Sequence, residues 1–419
     1  MKIKAIIAAS FGNILEWYDF ALFGAFASTI SQLFFPEDNA QVSLLKTYGI
    51  FAAGFIMRPL GSFILGHIGD KKGRKNSLIL SMYLMAFPTI CIGLLPTYNQ
   101  IGAWAPFFLI LIRLLQGFAM GGEYGGSMVF LFEHAPPNRK GFYSSWVDVG
   151  CLVGVLLGTL ISWSTVTFLN QSDHLSWGWR FPFIGSLGLA FLVLYFRRKL
   201  EETDVFIEST AKADTPSFLT LKPFLSKMLP TMFVYAFGNV CFYIFLVFLP
   251  NHFIQKNTIY SSSALLVTSI MSASIAAAIP FGGYLSDKYG RRKILYLSIF
   301  AAIIIAYPLF ITMSISSFYM HILFQVAFAL ALAAFYGGEA AFFAEIFPPS
   351  SRCRGVSLVL SMANIFFGGG APFIAMWLTQ QFNDVRFVAI IIIFMGILAL
   401  WSLSKISSQE LEKSSFKYA

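Results

Sequence analysis

The stretch Gly66-His-Ile-Gly-Asp70-Lys-Lys-Gly73-Arg74-Lys75 is a short charged turn held between two long apolar runs, and it occurs twice. The second copy, Gly283-Tyr-Leu-Ser-Asp287-Lys-Tyr-Gly290-Arg291-Arg-Lys293, sits about half a chain length further on. A repeat of that period marks a duplicated bundle, because the units of a solenoid are far shorter. Parallel repeats built from membrane helices are a transport architecture.

Composition points the same way. The 419 residues are 57% hydrophobic and only 12% charged, with a mean hydropathy of +0.71, whereas soluble domains carry about 25% charged residues. Apolar runs long enough to cross a ~30 Å hydrocarbon core recur from end to end. Lipid offers the backbone no hydrogen-bond partner, so such runs must be helical. An all-α integral membrane protein follows.

The formal net charge of +9 gathers in alternate loops: Lys71 to Lys75, Arg139 and Lys140, Arg197 to Lys199, Lys288 to Lys293, and Arg352 with Arg354. The intervening loops, near Glu37, Asp173 and Asp384, hold few basic residues. By the positive-inside rule the basic loops lie in the cytoplasm, and both termini with them. A nucleic-acid surface needs its charge on one soluble face, so no such partner is expected. The partners expected are the lipid bilayer, a small-molecule substrate and protons, with the monomer as the working unit.

Cys91, Cys151, Cys241 and Cys353 show neither metal-ligand nor disulfide spacing and read as small packing residues. The histidines form no His-Glu-x-x-His pattern, and no phosphate-binding Gly-x-x-x-x-Gly-Lys loop occurs. Neither enzymatic chemistry, a metal nor a cofactor is expected. Lys2, Lys4 and the apolar run to Leu15 loosely mimic a cleavable signal. Glu16 and Asp19 interrupt that run, however, and Phe11-Gly12-Asn13 returns as Phe237-Gly238-Asn239 at the start of the second half. The segment is expected to stay as helix 1.

Twelve helices are expected: residues 6–34, 44–68, 77–95, 105–130, 142–168 and 178–196, then 228–253, 262–286, 294–313, 319–346, 356–380 and 386–404. They define a six-helix bundle over 1–196, a polar linker over 197–226, a second bundle over 227–404 and a short tail over 405–419. A second duplicated block supports the pairing of halves. Gly121-Gly122-Glu123-Tyr124 in helix 4 answers Tyr336-Gly337-Gly338-Glu339 in helix 10, and each is followed by a glutamate, Glu133 or Glu345, and a double proline.

These residues carry a resemblance. The paired Gly-x-x-x-Asp-Lys-x-Gly-Arg-(Arg/Lys) loops are similar to the loop motif of the major facilitator superfamily. Gly12-Asn-Ile-Leu-Glu16-Trp17-Tyr18-Asp19-Phe20, Arg58-Pro-Leu-Gly61 and Arg113-Leu-Leu-Gln116-Gly117 through Tyr124 resemble, more narrowly, the metabolite:proton symporter family. The resemblance implies two pseudo-symmetric six-helix bundles around a central cavity, alternating access and proton-coupled uptake across a bacterial inner membrane. The tail after Lys405 has no room for the coiled coil of the family's osmosensing members, so an osmotic sensor of that design is not expected.

Ionisable residues inside a membrane are functional hypotheses by default. Asn13, Glu16 and Asp19 share one side of helix 1, and Arg58 lies at a similar depth in helix 2, so a helix 1–helix 2 charge cluster is expected. Its readings are a titrating carboxylate beside a cation or a static ion pair. The resemblance ties Arg113 and Gln116 to substrate or proton coupling, against a plain interhelical anchor. Glu123 and Glu339 read as proton relays or as partners of loop arginines, and Asp148 as a further cavity acid. Trp17, Tyr18, Tyr124, Trp146 and Tyr336 fall in the same blocks and suit a quaternary amine through cation–π attraction. Gly150, Gly154 and Gly158 read as helix-packing residues.

Asp70 and Asp287 end helices, where the macrodipole disfavours an anion. The resemblance implies that each meets the N-terminus of a helix in the other half, so that Gly66, Asp70, Gly73 and Arg74, with Gly283, Asp287, Gly290 and Arg291, form a conformational latch. The expected solute is a zwitterion of the proline or betaine type. A carboxylate solute, or transport without proton coupling, is the alternative.

Overall fold

The computed structural model describes residues 2–36, 39–212, 222–249, 261–312 and 318–406. The stretch 213–221 of the expected linker, the tail beyond 406 and the loops at Glu37 and 314–317 lie outside the described residues. The long helices are α1 (Lys2–Ala25), α2 (Ala40–Lys72), α3 (Arg74–Leu94), α4 (Trp104–His134), α5 (Trp146–Phe168) and α6 (Arg180–Arg198). The second half adds α7 (Lys222–Tyr243), α8 (Ser261–Tyr289), α9 (Arg291–Thr312), α10 (Phe318–Ile346), α11 (Arg352–Ala363) and α12 (Val388–Lys405).

Among the described residues, ten helices are long and apolar enough to cross a membrane. Their outer faces present Leu45, Ile56, Phe87, Phe107, Phe191, Phe300, Phe394 and Trp401 to the surroundings, the apolar belt that a lipid-facing surface requires. Several helices outrun the expected spans. α2 and α4 continue to Lys72 and His134, because a helix does not stop where the hydrocarbon does. Helix 1 breaks after Ala25 and resumes as Ala27–Phe34. α11 passes through a wide π-turn at Asn364–Gly368 before Gly370–Phe382.

The halves meet along two related seams, α2 against α11 and α8 against α5. Small residues bring helices close within each half. Gly150 and Gly158 of α5 face the carbonyls of Ser10 and Tyr18 in α1, where an added Cβ would lie 2.6 and 2.8 Å away. Gly121 of α4 and Gly337 of α10, equivalent in the repeat, lean on the backbones of α2 and α8. A Cβ at Gly121 would come within 2.6 Å of the Ser62 amide nitrogen. Gly121→Val is therefore expected to cost about 1–3 kcal/mol through overpacking, read as a lower Tm of the purified protein in detergent. An unchanged Tm would refute the close approach.

Two turn glycines are required by conformation. Gly73 between α2 and α3 has φ 105°, and Gly290 between α8 and α9 has φ 95°. That region is open to glycine and strained for other residues, which accounts for a glycine three residues after each aspartate.

Arg197, assigned to the linker by the sequence, is fully buried near the end of α6. Further on, the helix Asp204–Lys212 follows Glu202 and Thr203. Glu202 accepts from the Lys75 amide at 3.1 Å, and the Thr203 hydroxyl donates to Glu133 at 2.7 Å. This first part of the linker is thereby tied to the start of α3 and the end of α4.

Candidate functional site

The charged turns set the closed end of the molecule. Asp70, at the last turn of α2, accepts from the backbone N–H groups of Cys353 at 2.9 Å and Arg354 at 3.1 Å. These are unpaired donors at the N-terminus of α11, where the helix dipole favours an anion. Asp287, at the end of α8, accepts from Gly141 at 2.7 Å and Phe142 at 2.9 Å, at the start of the turn leading into α5. Gly66 lets α11 approach, since a Cβ there would lie 2.6 Å from the Arg354 Cα. Gly283 does the same for Phe142, at 2.9 Å.

The arginines also repeat. Arg74 bridges Asp70 at 3.4 Å and Glu133 at 3.1 Å, and Arg291 bridges Asp287 at 3.3 Å and Glu345 at 3.1 Å. Glu133 then crosses to the other half through Arg352 at 2.8 Å. At this end the halves are closed against each other.

The charge cluster of α1 differs from the expectation. Asp19 does not pair with Arg58. It accepts from Arg113 at 2.7 Å and from Gln116 at 2.9 Å, and Gln116 donates onward to Thr89 at 2.8 Å. Both Asp19 oxygens are thus engaged by α4, because Arg113 and Gln116 lie one turn apart on the face turned to α1. Arg58 instead lies over the Phe55 ring at 4.4 Å, with one N–H directed at the Met120 sulfur at 3.3 Å and its Nε without a partner. Glu16 is buried with Oε2 unpartnered. Asn13 donates to the Ala9 carbonyl at 3.1 Å, and its Oδ1 has no partner.

Glu123 is engaged by the arginine that the sequence placed in the linker. Arg197 meets both Glu123 oxygens, and Ser81 donates to Oε2 at 2.6 Å. Gly12 makes room for this pair, since a Cβ there would lie 2.6 Å from the Arg197 Cζ. Tyr18 turns away from the interface and donates to the Pro182 carbonyl on α6 at 2.9 Å. Trp146 lies near the start of α5, its carbonyl accepting from Ser10 at 2.9 Å, and it borders neither cavity described next.

Two cavities bordered by described residues bear on the site. The first lies between the halves and is bordered by Trp17, Tyr124 and Asp148 from one half and by Tyr235, Asn239, Phe242, Tyr336 and Glu339 from the other. The Tyr124 hydroxyl donates to Asp148 Oδ1, while Asp148 Oδ2 and both oxygens of Glu339 are buried without a partner. Tyr336 donates to the Gly238 carbonyl at 2.9 Å, and Asn239 to Asn364 at 3.0 Å. The second cavity is bordered by Asp19, Phe20, Phe55, Arg58, Arg113 and Gln116 among others. Trp17 and Phe20, ring centroids 5.2 Å apart, stand at the first and second cavity respectively. Tyr235, Asn239, Phe242 and Asn364 were not singled out from the sequence. The echo of Phe11-Gly12-Asn13 in Phe237-Gly238-Asn239 was the one signal pointing to this part of α7.

Residues 4–216 match the family described as "Sugar (and other) transporter" and residues 231–416 the Major Facilitator Superfamily. The chain is 36% identical to the citrate-proton symporter of Klebsiella pneumoniae over 91% of its length and 87% of that protein's. It is 32% identical to the proline/betaine transporter of Salmonella typhimurium, covering 95% of this chain and 82% of the other. It is 36% identical to the alpha-ketoglutarate permease of Escherichia coli, covering 92% and 89%. Among solved structures, the proton:xylose symporter XylE superposes with a TM-score of 0.82 over 98% of each chain, at 18% identity.

Proposed function

The chain belongs to the major facilitator superfamily, and from that premise we propose that it is a proton-coupled symporter importing a small organic solute into a bacterial cell by alternating access. It is a multi-pass membrane protein with the twelve-helix fold of that superfamily. The proposal places it in the inner membrane, with the basic loops and both termini in the cytoplasm. The observation that carries the reading is the closure of one end by Asp70 and Asp287, above which buried polar atoms face cavities without partners. A closed end over an uncompensated pocket is what one state of a rocking carrier requires.

The two cavities divide the work. Arg58, with an uncommitted Nε, suits a carboxylate group, and the acid-and-aromatic cavity suits a positive one, so a zwitterion of the proline or betaine type is the solute of first choice. The second reading is a carboxylate solute. The arginines of the second cavity support it, as do the names of the citrate and alpha-ketoglutarate relatives. Proton coupling is assigned to Glu16 rather than Asp19, because Asp19 spends both oxygens on Arg113 and Gln116 while one Glu16 oxygen remains unmatched.

The test is uptake into proteoliposomes under an imposed pH gradient. Radiolabelled proline, betaine or 2-oxoglutarate should accumulate only with the gradient, with alkalinisation outside. In Glu16→Gln the gradient should cease to drive accumulation while exchange of internal for external solute persists. Uptake indifferent to the gradient in the unmodified protein would leave a facilitator and end the coupling claim.

A further inference from the structure

Two acidic side chains from opposite halves border the first cavity, and neither has a counter-cation there. Asp148 comes from α5 and Glu339 from α10, at 5% and 0% exposure. Three of their four oxygens have no hydrogen-bond partner. Of the phenols nearby, Tyr124 donates to Asp148 and Tyr336 to the Gly238 carbonyl, while Tyr235 accepts from Asn364 at 3.2 Å. Among the described residues no lysine, arginine or histidine borders the cavity. Two ionised carboxylates in one dry space repel each other until one takes up a proton or a positive group stands between them.

The walls indicate which positive group. Trp17, Tyr124, Tyr235, Phe242 and Tyr336 present rings to the same space, with Trp17 set edge-on to Phe242 at 4.9 Å and Tyr124 at 6.4 Å from Tyr235. Aromatic faces attract weakly hydrated organic cations and replace little of the hydration of a small metal ion. A hydrophobic box closed by carboxylates therefore favours an ammonium whose hydrogens have been replaced by carbon.

Resting on the transport reading above, we propose that Asp148 and Glu339, within this ring of aromatics, form the subsite for the positive end of the solute, and that this end is an alkylated ammonium. The subsite is split between the halves, so that the bound cation draws α5 and α10 onto one charge. Glu339 gives the second half its acidic contribution to the cavity, and it is the specificity residue of the pair.

The probes are glycine betaine and 3,3-dimethylbutanoate, which share shape and carboxylate and differ only by the positive nitrogen. Tetramethylammonium chloride and sodium chloride are run beside them. Binding to the purified full chain in detergent is followed by calorimetry. Betaine should bind at least about tenfold tighter than its carbon isostere, the scale of a desolvated cation–π site, and tetramethylammonium should compete with betaine where sodium does not. Glu339→Gln should remove that ratio, and a monodisperse size-exclusion profile shows that the variant is folded. Should that variant fail to fold, Asp148→Asn carries the same expectation. Equal binding of both probes, binding of neither, competition by sodium as strong as by tetramethylammonium, or a ratio untouched by the substitutions would overturn the subsite. Because no pH gradient is present, a loss of proton coupling would leave this outcome standing, and the two readings fail separately.

Discussion

Arg197→Met is expected to destabilise the protein by about 3–5 kcal/mol, because it leaves the buried Glu123 carboxylate without its counter-charge. Arg197 and Glu123 are among the most deeply enclosed charged groups of the first half. Arg197 also donates to the Ala8 carbonyl at 3.2 Å and to that of Leu78, so one guanidinium joins α1, α3, α4 and α6. Its loss should appear as a collapse in the yield of monodisperse protein and a large fall in Tm. The double replacement Arg197→Met with Glu123→Gln should recover much of the loss, because no charge is then left alone. A double variant as unstable as the single one would show that the arginine acts through its backbone contacts and not through the pair.

The second large effect is expected at the latch. Asp70→Asn keeps the size of the side chain and removes its charge. Hydrogen bonds to a charged group are worth about 1.5–3 kcal/mol, so the closed state should lose roughly 10- to 100-fold in population relative to the open one. Cys353 supplies a built-in reporter. Its amide is one of the donors to Asp70, and its thiol is buried against Gly69. With Cys91, Cys151 and Cys241 replaced by serine or alanine, a polar maleimide should label Cys353 faster in Asp70→Asn by a comparable factor. Solute uptake should fall, while calorimetric binding is retained. Slow labelling in the variant would mean that the closed end does not depend on this aspartate.

The residues legible in the sequence were those whose reason is local or repeated. The aspartates of the charged turns end helices with the wrong sign for the dipole, and a glycine follows each at a fixed distance. Such an anion needs compensation, from neighbouring basic residues or from a facing helix N-terminus, and the resemblance pointed to the latter. Asp70 and Asp287 each meet one, while the positive φ of Gly73 and Gly290 came only with the structure. The glycines of α5 were legible for the same reason, since their spacing alone defines a face.

Pairings across helices were not legible. Arg58 and Arg113 lie at depths where either suits Asp19, and only the rotation of α4 against α1 decides for Arg113. Arg197 sits in a run of basic residues indistinguishable from a topology signal, so its burial against Glu123 left no mark in the sequence. Tyr18 follows Trp17 directly, yet successive residues of a helix diverge by about 100°, and Tyr18 is turned toward α6. Glu339 looked like the counterpart of Glu123. The repeat gave it the same position without giving it an Arg197.

The kinship of the two halves is closer in sequence than in surroundings. Asp70 is 3% exposed and braced by the Arg74–Glu133–Arg352 bridge, and the start of the linker is tied to Glu133. The Asp287 side chain is 6% exposed and that of Arg291 beside it 17%, against 2% and 0% for Asp70 and Arg74. Water can replace lost partners at the second contact far more readily than at the first. The halves should therefore part like a book with a stiff spine, the α5–α8 edge lifting first while the α2–α11 edge holds as the last point of contact.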